Sequence, residues 1–255
     1  MKGMAAELVE RLNVDTAFTI PVFGGIAIAE SVVISWVVIA ILVALAIFLT
    51  RGMKVWHPGK RQIIAETIVT WLDGFTQDML GPDAKEYSEY IATVLLFIGL
   101  SNIMGLFGMK PPTKDMNVTI ALAVMSIVLI EAAGIRRKGT KGWLKSFTQP
   151  IAIVTPINIL EIFIRPLSLC MRLFGNVLGS FVIMELIEMI IPVAVPLVFS
   201  MYFDIFDGFI QAYVFVFLTS LFIAEAAEPL MPTEPKKKKA KKAGKKHAAK
   251  AAAEN

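Results

Sequence analysis

The sequence is poor in charged residues and in the side chains that bind metals or form disulfides. Only 18% of its 255 residues are charged, against about 25% in a typical soluble domain, and 56% are hydrophobic. One cysteine excludes an internal disulfide framework, and two histidines leave no plausible zinc ligand set. No Gly-rich phosphate loop with its lysine is present. We therefore expect no cofactor. The hydrophobic excess is larger than a core of this size requires, which excludes a soluble enzyme.

Five hydrophobic segments are long enough to cross a membrane, because a helical span needs roughly 20 apolar residues. The fourth and fifth are much longer than that, and a straight helix of their length would measure about 54 Å. These two helices must therefore tilt strongly, lie nearly flat in the membrane, or break. Prolines at 192 and 196 predict the turn between them. The predicted spans are residues 31–50, 90–109, 118–135, 156–191 and 192–227.

Residues 60–80 differ from the five spans, because their apolar side chains recur at helical spacing while charged side chains fall on the other positions. This pattern predicts an amphipathic helix on the membrane surface. The fold class is thus an all-α polytopic membrane protein with five membrane-crossing helices and one surface helix, the last two crossings forming a long tilted hairpin. We divide the chain into an external segment (1–30), a single membrane domain (31–231) and a disordered Lys-rich tail (232–255).

Predicted loops that are rich in basic residues alternate with loops that are poor in them, and this alternation indicates the orientation of the chain in the membrane. The loop after the first span, the connection after the third and the C-terminal tail are rich in Lys and Arg, and the tail alone carries nine Lys against two Glu. The other connections are poor in both. With five crossings, the N-terminus is expected outside and the C-terminus inside. The tail suits anionic lipid or a topological anchor, and it lacks the interleaved aromatic residues typical of nucleic-acid binding.

Ionisable residues lie inside the two longest segments, where a charge at the bilayer centre costs about 2.5–3.5 kcal/mol on insertion scales. Arg172 is the most informative, because it cannot lose its proton and is too deep to reach the interface easily. Helical spacing predicts a polar face on each segment. The first face holds Glu161, Arg165, Ser168, Arg172 and Asn176, and the second holds Asp204, Asp207, Gln211 and Glu225. Such faces suit a water-filled path beside a fixed cation; alternatively, the side chains pair within a bundle, as Glu161 can with Arg165.

Three sequence motifs resemble subunit a of the rotary F-type ATP synthase, and they occur in the same order as in that family. Residues 111–119 (PPTKDMNVT) resemble the turn before that family's third span. Residues 165–176 (RPLSLCMRLFGN) are similar to the signature around its essential arginine, and residues 211–219 (QAYVFVFLT) to its final helix. The resemblance extends from the first span to about Glu228. It implies a non-catalytic subunit that conducts ions, expected to be protons, through two offset half-channels and couples their flow to ATP synthesis.

The resemblance also implies partners and roles for individual residues. The partners are a rotating ring of subunit c, the peripheral-stalk subunit b, the remaining synthase subunits and membrane lipids, with no nucleic acid. Arg172 is the fixed cation between the half-channels, and Asn176 and Gln211 lie near it at the ring interface. A stand-alone secondary transporter that binds an anionic substrate through Arg172 is the alternative function. That alternative predicts an internal repeat with paired broken helices, which the sequence lacks. A purely structural scaffold would not explain why the two helices carry polar faces.

The chain departs from the family nine positions after the arginine, where many members carry an acidic residue or histidine and this chain has Phe181. The partner position, seven before Gln211, is Asp204, which fits. Glu185, one helical turn beyond Phe181, is expected to replace the missing group, with Glu188 a weaker candidate.

The residues expected to act in ion translocation are Arg172, Gln211, Asn176, Asp204, Glu185, Ser168 and Glu161. Asp115 and Asn117 are candidates for the outer half-channel, or alternatively for capping a helix. The Lys-rich tail and the lack of a transit-peptide pattern favour a bacterial plasma membrane.

Overall fold

Helices form nearly all of the part of the chain that the computed structural model describes. That part comprises residues 16–20, 26–56, 59–82, 84–148, 152–190 and 194–228. The strands are β1 (Thr16–Ile20) and β2 (Ile26–Ala29). The α-helices are α1 (Glu30–Thr50), α2 (Lys60–Leu80), α3 (Ser88–Ile103), α4 (Met116–Ser146), α5 (Thr155–Ile190), α6 (Ala194–Ser200) and α7 (Gly208–Ala227). Short 3-10 turns cover Lys85–Tyr87, Met104–Phe107, Pro112–Lys114 and Ala152–Val154, and a π-helix covers Met201–Asp207.

Among the residues that the structure describes, five helical segments are long and apolar enough to cross a membrane, which confirms the predicted polytopic all-α fold. They are Glu30–Thr50, Lys85–Phe107, Met116–Ser146, Thr155–Ile190 and Val198–Ala227. The predicted surface helix forms over the expected residues as α2. It turns a narrow face inward, with Ala65, Leu72, Thr76 and Leu80 buried, and the remainder of its surface is mostly exposed, as an amphipathic helix requires.

The structure differs from the sequence prediction in three elements. A small antiparallel hairpin, β1 with β2, precedes α1 in the segment that was expected only to be external. The third span continues past residue 135, because helix formation does not stop where hydropathy falls. Its helix is interrupted at Gly139, whose φ of 69° lies in the region that glycine favours, and a second helical piece ends at Ser146. The fifth span carries the π-helix, whose extra residue per turn leaves no hydropathy signal. Residues 191–193 and the Lys-rich tail lie outside the described residues.

Three ion pairs between charged side chains show which parts of the helices lie together. They join the start of α1 to the α3–α4 connection, the start of the second span to the middle of α4, and the first turns of α5 to the end of α7. The pairs are Lys110 with Glu30 at 3.5 Å, Arg136 with Glu86 at 3.3 Å, and Arg165 with Glu225 at 2.8 Å. Consecutive spans therefore run in opposite directions, as five crossings with short connections require.

The hydrophobic core lies between α3, α4, α5 and α7. Its fully buried side chains include Ile98, Ile130, Leu173, Phe215 and Ile223. The long helix α5 contributes only one face to this core. In its most apolar stretch 11% of the residues are buried, compared with 39% in the second, third and fifth spans. Helix α5 therefore leaves a long surface that the described part of the chain does not cover.

Candidate functional site

Arg172 lies on the uncovered face of α5. The neighbouring side chains Leu169, Leu173 and Val177 are buried in the core, which turns Arg172 and Ser168 outward, where both are exposed. Among the described residues, Arg172 has neither an ion pair nor a hydrogen bond. A permanent positive charge in the middle of a span therefore remains available to a carboxylate or to water outside this chain.

One helical turn beyond Arg172, a cluster of three polar side chains joins α5 to the fifth span. The Asn176 amide donates from Nδ2 to Asp207 Oδ2 at 3.0 Å and lies 3.4 Å from Gln211 Oε1. Gln211 is buried, and its Nε2 has no hydrogen-bond partner among the described residues. A buried donor of this kind ordinarily finds an acceptor, so Gln211 can donate to a group that enters from elsewhere.

A cavity of about 300 Å³ opens beside this cluster. Four of the predicted site residues line it, on the end of the bundle that also holds the α3–α4 connection: Asn176, Glu185, Asp204 and Gln211. Phe181 and Asp207 also line the wall. The structure thus brings Glu185 and Asp204, the predicted pair of titratable groups, to one space.

The carboxylate of Asp204 enters this cavity from the π-helix. Its Oδ2 accepts a hydrogen bond from Ser200 Oγ. One turn further on, Gly208 contacts α3, because Asn102 Nδ2 donates to the Gly208 carbonyl at 2.9 Å. Thr113 Oγ1 in turn donates to Asn102 Oδ1 at 3.0 Å. This chain of contacts holds the π-helix, a feature that is frequent at functional sites, against α3 and the α3–α4 connection.

Three further candidates from the sequence lie away from the cavity wall. Asp115 is buried and caps α4, where its Oδ1 accepts from the Asn117 backbone N–H at 2.9 Å and from Asn117 Nδ2 at 3.1 Å. These contacts match the capping alternative for both residues. Glu161 lies 3.4 Å from Arg165, as the pairing alternative predicts, and Arg165 also binds Glu225 at 2.8 Å. The cluster formed by Glu161, Arg165 and Glu225 lies at the opposite end of α5 from the cavity.

Two residues near the cavity were missed from the sequence. Asn102 is buried, and a lone amide within a predicted span could have identified it, since polar groups in spans are expensive. Lys114 is also buried, but in the sequence it resembles an ordinary loop lysine, and only the packing of the connection buries it. Within the described ranges, no three His, Cys, Asp or Glu side chains are placed to hold a metal ion.

Comparison with known proteins gives consistent matches over most of the chain. The sequence model of the ATP synthase A chain family matches residues 32–224. Subunit a of the ATP synthase of Moorella thermoacetica is 34% identical over 202 residues, covering 79% of this chain and 92% of the relative. "ATP synthase subunit a 2" of a Bradyrhizobium species is 34% identical over 204 residues (80% and 91%). "ATP synthase subunit a, sodium ion specific" of Propionigenium modestum is 32% identical over 215 residues (78% and 74%).

Proposed function

The chain belongs to the ATP synthase A chain family, the ion-translocating membrane subunit of the F-type ATP synthase, and from this premise we propose that Arg172 is its fixed cation against a rotating ring of subunit c. The observation that carries the proposal is the exposed guanidinium on α5, which has no ionic partner among the described residues. A ring carboxylate without its ion is attracted to this charge. A carboxylate that still carries its ion is not, so each ring carboxylate releases its ion before it faces Arg172.

The cavity is proposed as the outer half-channel. An ion enters near the α3–α4 connection, passes Glu185 and Asp204, and reaches the ring beside Asn176 and Gln211. Support comes from the four side chains sharing one cavity wall and from the unpartnered Gln211 Nε2, which can donate to an incoming carboxylate. Glu185 supplies the titratable group that Phe181 cannot.

The inner half-channel is proposed to follow the other half of α5, past Ser168 and Glu161. Arg172 separates the two paths, since a permanent cation repels a proton and interrupts a continuous chain of water. Ions must therefore travel round with the ring. Each ion that crosses 100 mV delivers about 2.3 kcal/mol, which the complex uses for ATP synthesis. Asp115 and Asn117 are proposed to support the outer half-channel by capping α4 behind its wall.

The remaining features of the proposal concern the surroundings of the subunit. It is a non-catalytic component that contacts the c-ring, the peripheral-stalk subunit b and other synthase subunits in a bacterial plasma membrane. Its N-terminus (1–30) faces outward and its tail (232–255) lies in the cytoplasm against anionic lipid. The ion is proposed to be a proton. The relative named as sodium ion specific makes sodium the second candidate, whereas nothing favours a stand-alone transporter.

ATP-driven ion pumping in inverted vesicles tests this function, in a strain that lacks its own subunit a. Arg172→Ala is expected to abolish pumping while a blot shows the complex assembled. Arg51→Ala is the matched control, because Arg51 is an exposed arginine at the end of α1, and it is expected to pump like the parent. Measuring both proton and sodium uptake identifies the ion. Pumping that survives Arg172→Ala contradicts the proposal.

A further inference from the structure

Lys114 is a buried cation on the α3–α4 connection, with only 5% of its surface exposed. Its Nζ lies 3.9 Å from the centre of the Phe181 ring, on the wall of the cavity. An aromatic face attracts an ammonium group, but it replaces only part of the hydration that a buried charge loses. A lysine buried this deeply therefore needs a carboxylate nearby.

The segment that carries Lys114 is held firmly from both sides. Thr113 Oγ1 donates to Asn102 Oδ1 at 3.0 Å, and Asp115 caps α4. Backbone bonds from Lys114 N to Pro111 O and from Asp115 N to Pro112 O, both 3.0 Å, close the turn between these two anchors. The ammonium group is thus presented from a rigid base, which is what precise positioning of a second side chain requires.

Three carboxylates on the elements around Lys114 make hydrogen bonds to other groups. Asp115 uses both oxygens, one for the cap of α4 and one for Ser31 Oγ. Asp204 lies against Gly105 and accepts from Ser200. Asp207 accepts from Asn176. The charged groups to be considered are Glu30 at the start of α1, which pairs with Lys110 at 3.5 Å, Lys110 and Asp115 on the connection, Glu185 and Glu188 on α5, and Asp204 and Asp207 on the π-helix.

Glu185 is the carboxylate whose position fits. It lies four residues after Phe181 on α5, so the two side chains neighbour each other on one helix face, and both line the cavity. Glu185 is half-buried, whereas Glu188 is exposed and nearly one turn further along.

We propose that Lys114 is the counter-ion that positions the carboxylate of Glu185 on the cavity wall, with the Phe181 ring as the support between them. The inference deepens the proposed function, on which it rests, by adding a positioning residue to the outer ion path. It also assigns a role to Phe181. The aromatic ring at this position holds the cation that orients the replacement carboxylate one turn away.

Pumping in inverted vesicles, divided by the amount of assembled complex, tests the role of the charge. Lys114→Met is expected to lower the rate about fivefold or more, since the carboxylate loses its partner. Lys114→Arg keeps the charge and is expected to stay within about twofold of the parent. Lys141→Met, at an exposed lysine of α4, is the control and leaves the rate unchanged. Parent-like pumping by Lys114→Met, or equal loss in Lys114→Arg, overturns the proposal.

Thermal melting of the purified complex tests the pair itself through Lys114→Met, Glu185→Gln and the double variant. Glu185→Gln leaves the buried Lys114 charge unpaired and Lys114→Met leaves the half-buried Glu185 charge unpaired, so the double variant is expected to lose less than the sum of the two shifts and to assemble better than Lys114→Met alone. Additive shifts, or assembly that the second change does not restore, overturn the pair. These outcomes are separate from Arg172→Ala, whose continued pumping contradicts the proposed function as a whole.

Discussion

The carboxylate of Asp204 lies directly against the backbone of Gly105. A Cβ atom on Gly105 would come within 2.6 Å of Asp204 Oδ1, closer than real contacts allow. One turn along the fifth span, a Cβ on Gly208 would meet Asn102 Cβ at 2.7 Å. The end of α3 and the π-helix therefore approach each other at two glycines, one from each side, and this close approach directs Asp204 into the cavity.

Gly105→Ala is expected to displace the Asp204 carboxylate and to lower ion pumping about fivefold or more, because overpacking of this kind costs about 1–3 kcal/mol. Gly99→Ala is the matched control in the same span, where a Cβ meets Phe209 at an ordinary 3.6 Å. Pumping per assembled complex is the measurement. If Gly105→Ala pumps like Gly99→Ala, the position of Asp204 does not matter for ion flow.

Arg165 ties the first turns of α5 to the end of α7, and its loss is expected to loosen the long hairpin. Its side chain is only 14% exposed and binds Glu225 at 2.8 Å and Glu161 at 3.4 Å. Because both carboxylates are about half exposed, Arg165→Met is expected to destabilise the subunit by about 1–3 kcal/mol, between the values for surface and buried pairs. The melting temperature of the detergent-solubilised complex measures this loss.

Arg136→Met is the comparison for that measurement, because Arg136 pairs with Glu86 at 3.3 Å while 72% exposed. An exposed pair contributes about 0–1 kcal/mol, so this variant is expected to melt close to the parent. Equal melting temperatures for the two variants would show that the cluster at Arg165 has no special structural role.

Much of the fold could be predicted because the bilayer imposes a strong pattern on the sequence. Twenty apolar residues are needed per span, and the five spans and the surface helix α2 appear where that pattern predicts them. The extension of α4 past residue 135 and the π-helix could not be predicted in this way. Hydropathy reports the surroundings of a segment, whereas its helical geometry depends on packing against neighbours.

Part of the candidate site could be predicted from the sequence, because a charged residue within a membrane span is costly and therefore indicates a function. This reasoning singled out Arg172, an ionisable residue within an apolar segment, whereas the choice of Asp204 and Glu185 came from the family resemblance. Lys114 escaped it, because it lies in a connection between spans, and its burial arises only when α5 packs against that connection. Tertiary contacts of this kind leave no periodicity in the sequence.

Asp73 on the surface helix α2 is expected to make stability depend on acid pH. Hydrogen bonds from Ser88, which has the larger effect, and from Gln77 hold the pKa of the Asp73 carboxyl below its ordinary value of 3.8. A lowered folded-state pKa adds stability above the unfolded-state value, and this stability is lost as the pH falls through the folded-state pKa. The melting temperature of the parent complex should therefore fall more steeply on acidification than that of Asp73→Asn. Parallel curves contradict the role of this carboxylate.

Asp207 is expected to act through its hydrogen bond to Asn176 rather than through its charge. The Asn176 amide donates to Asp207 Oδ2 at 3.0 Å, and its second acceptor, Gln211 Oε1, is distant at 3.4 Å. Asp207→Asn keeps an acceptor oxygen and should retain at least about half of the pumping rate, whereas Asp207→Leu removes it, frees the amide beside Arg172 and should lower the rate about fivefold or more. Pumping per assembled complex is measured for both variants. Equal loss in the two would mean that the charge of Asp207 is required, and parent-like rates in both would remove the cluster from the ion path.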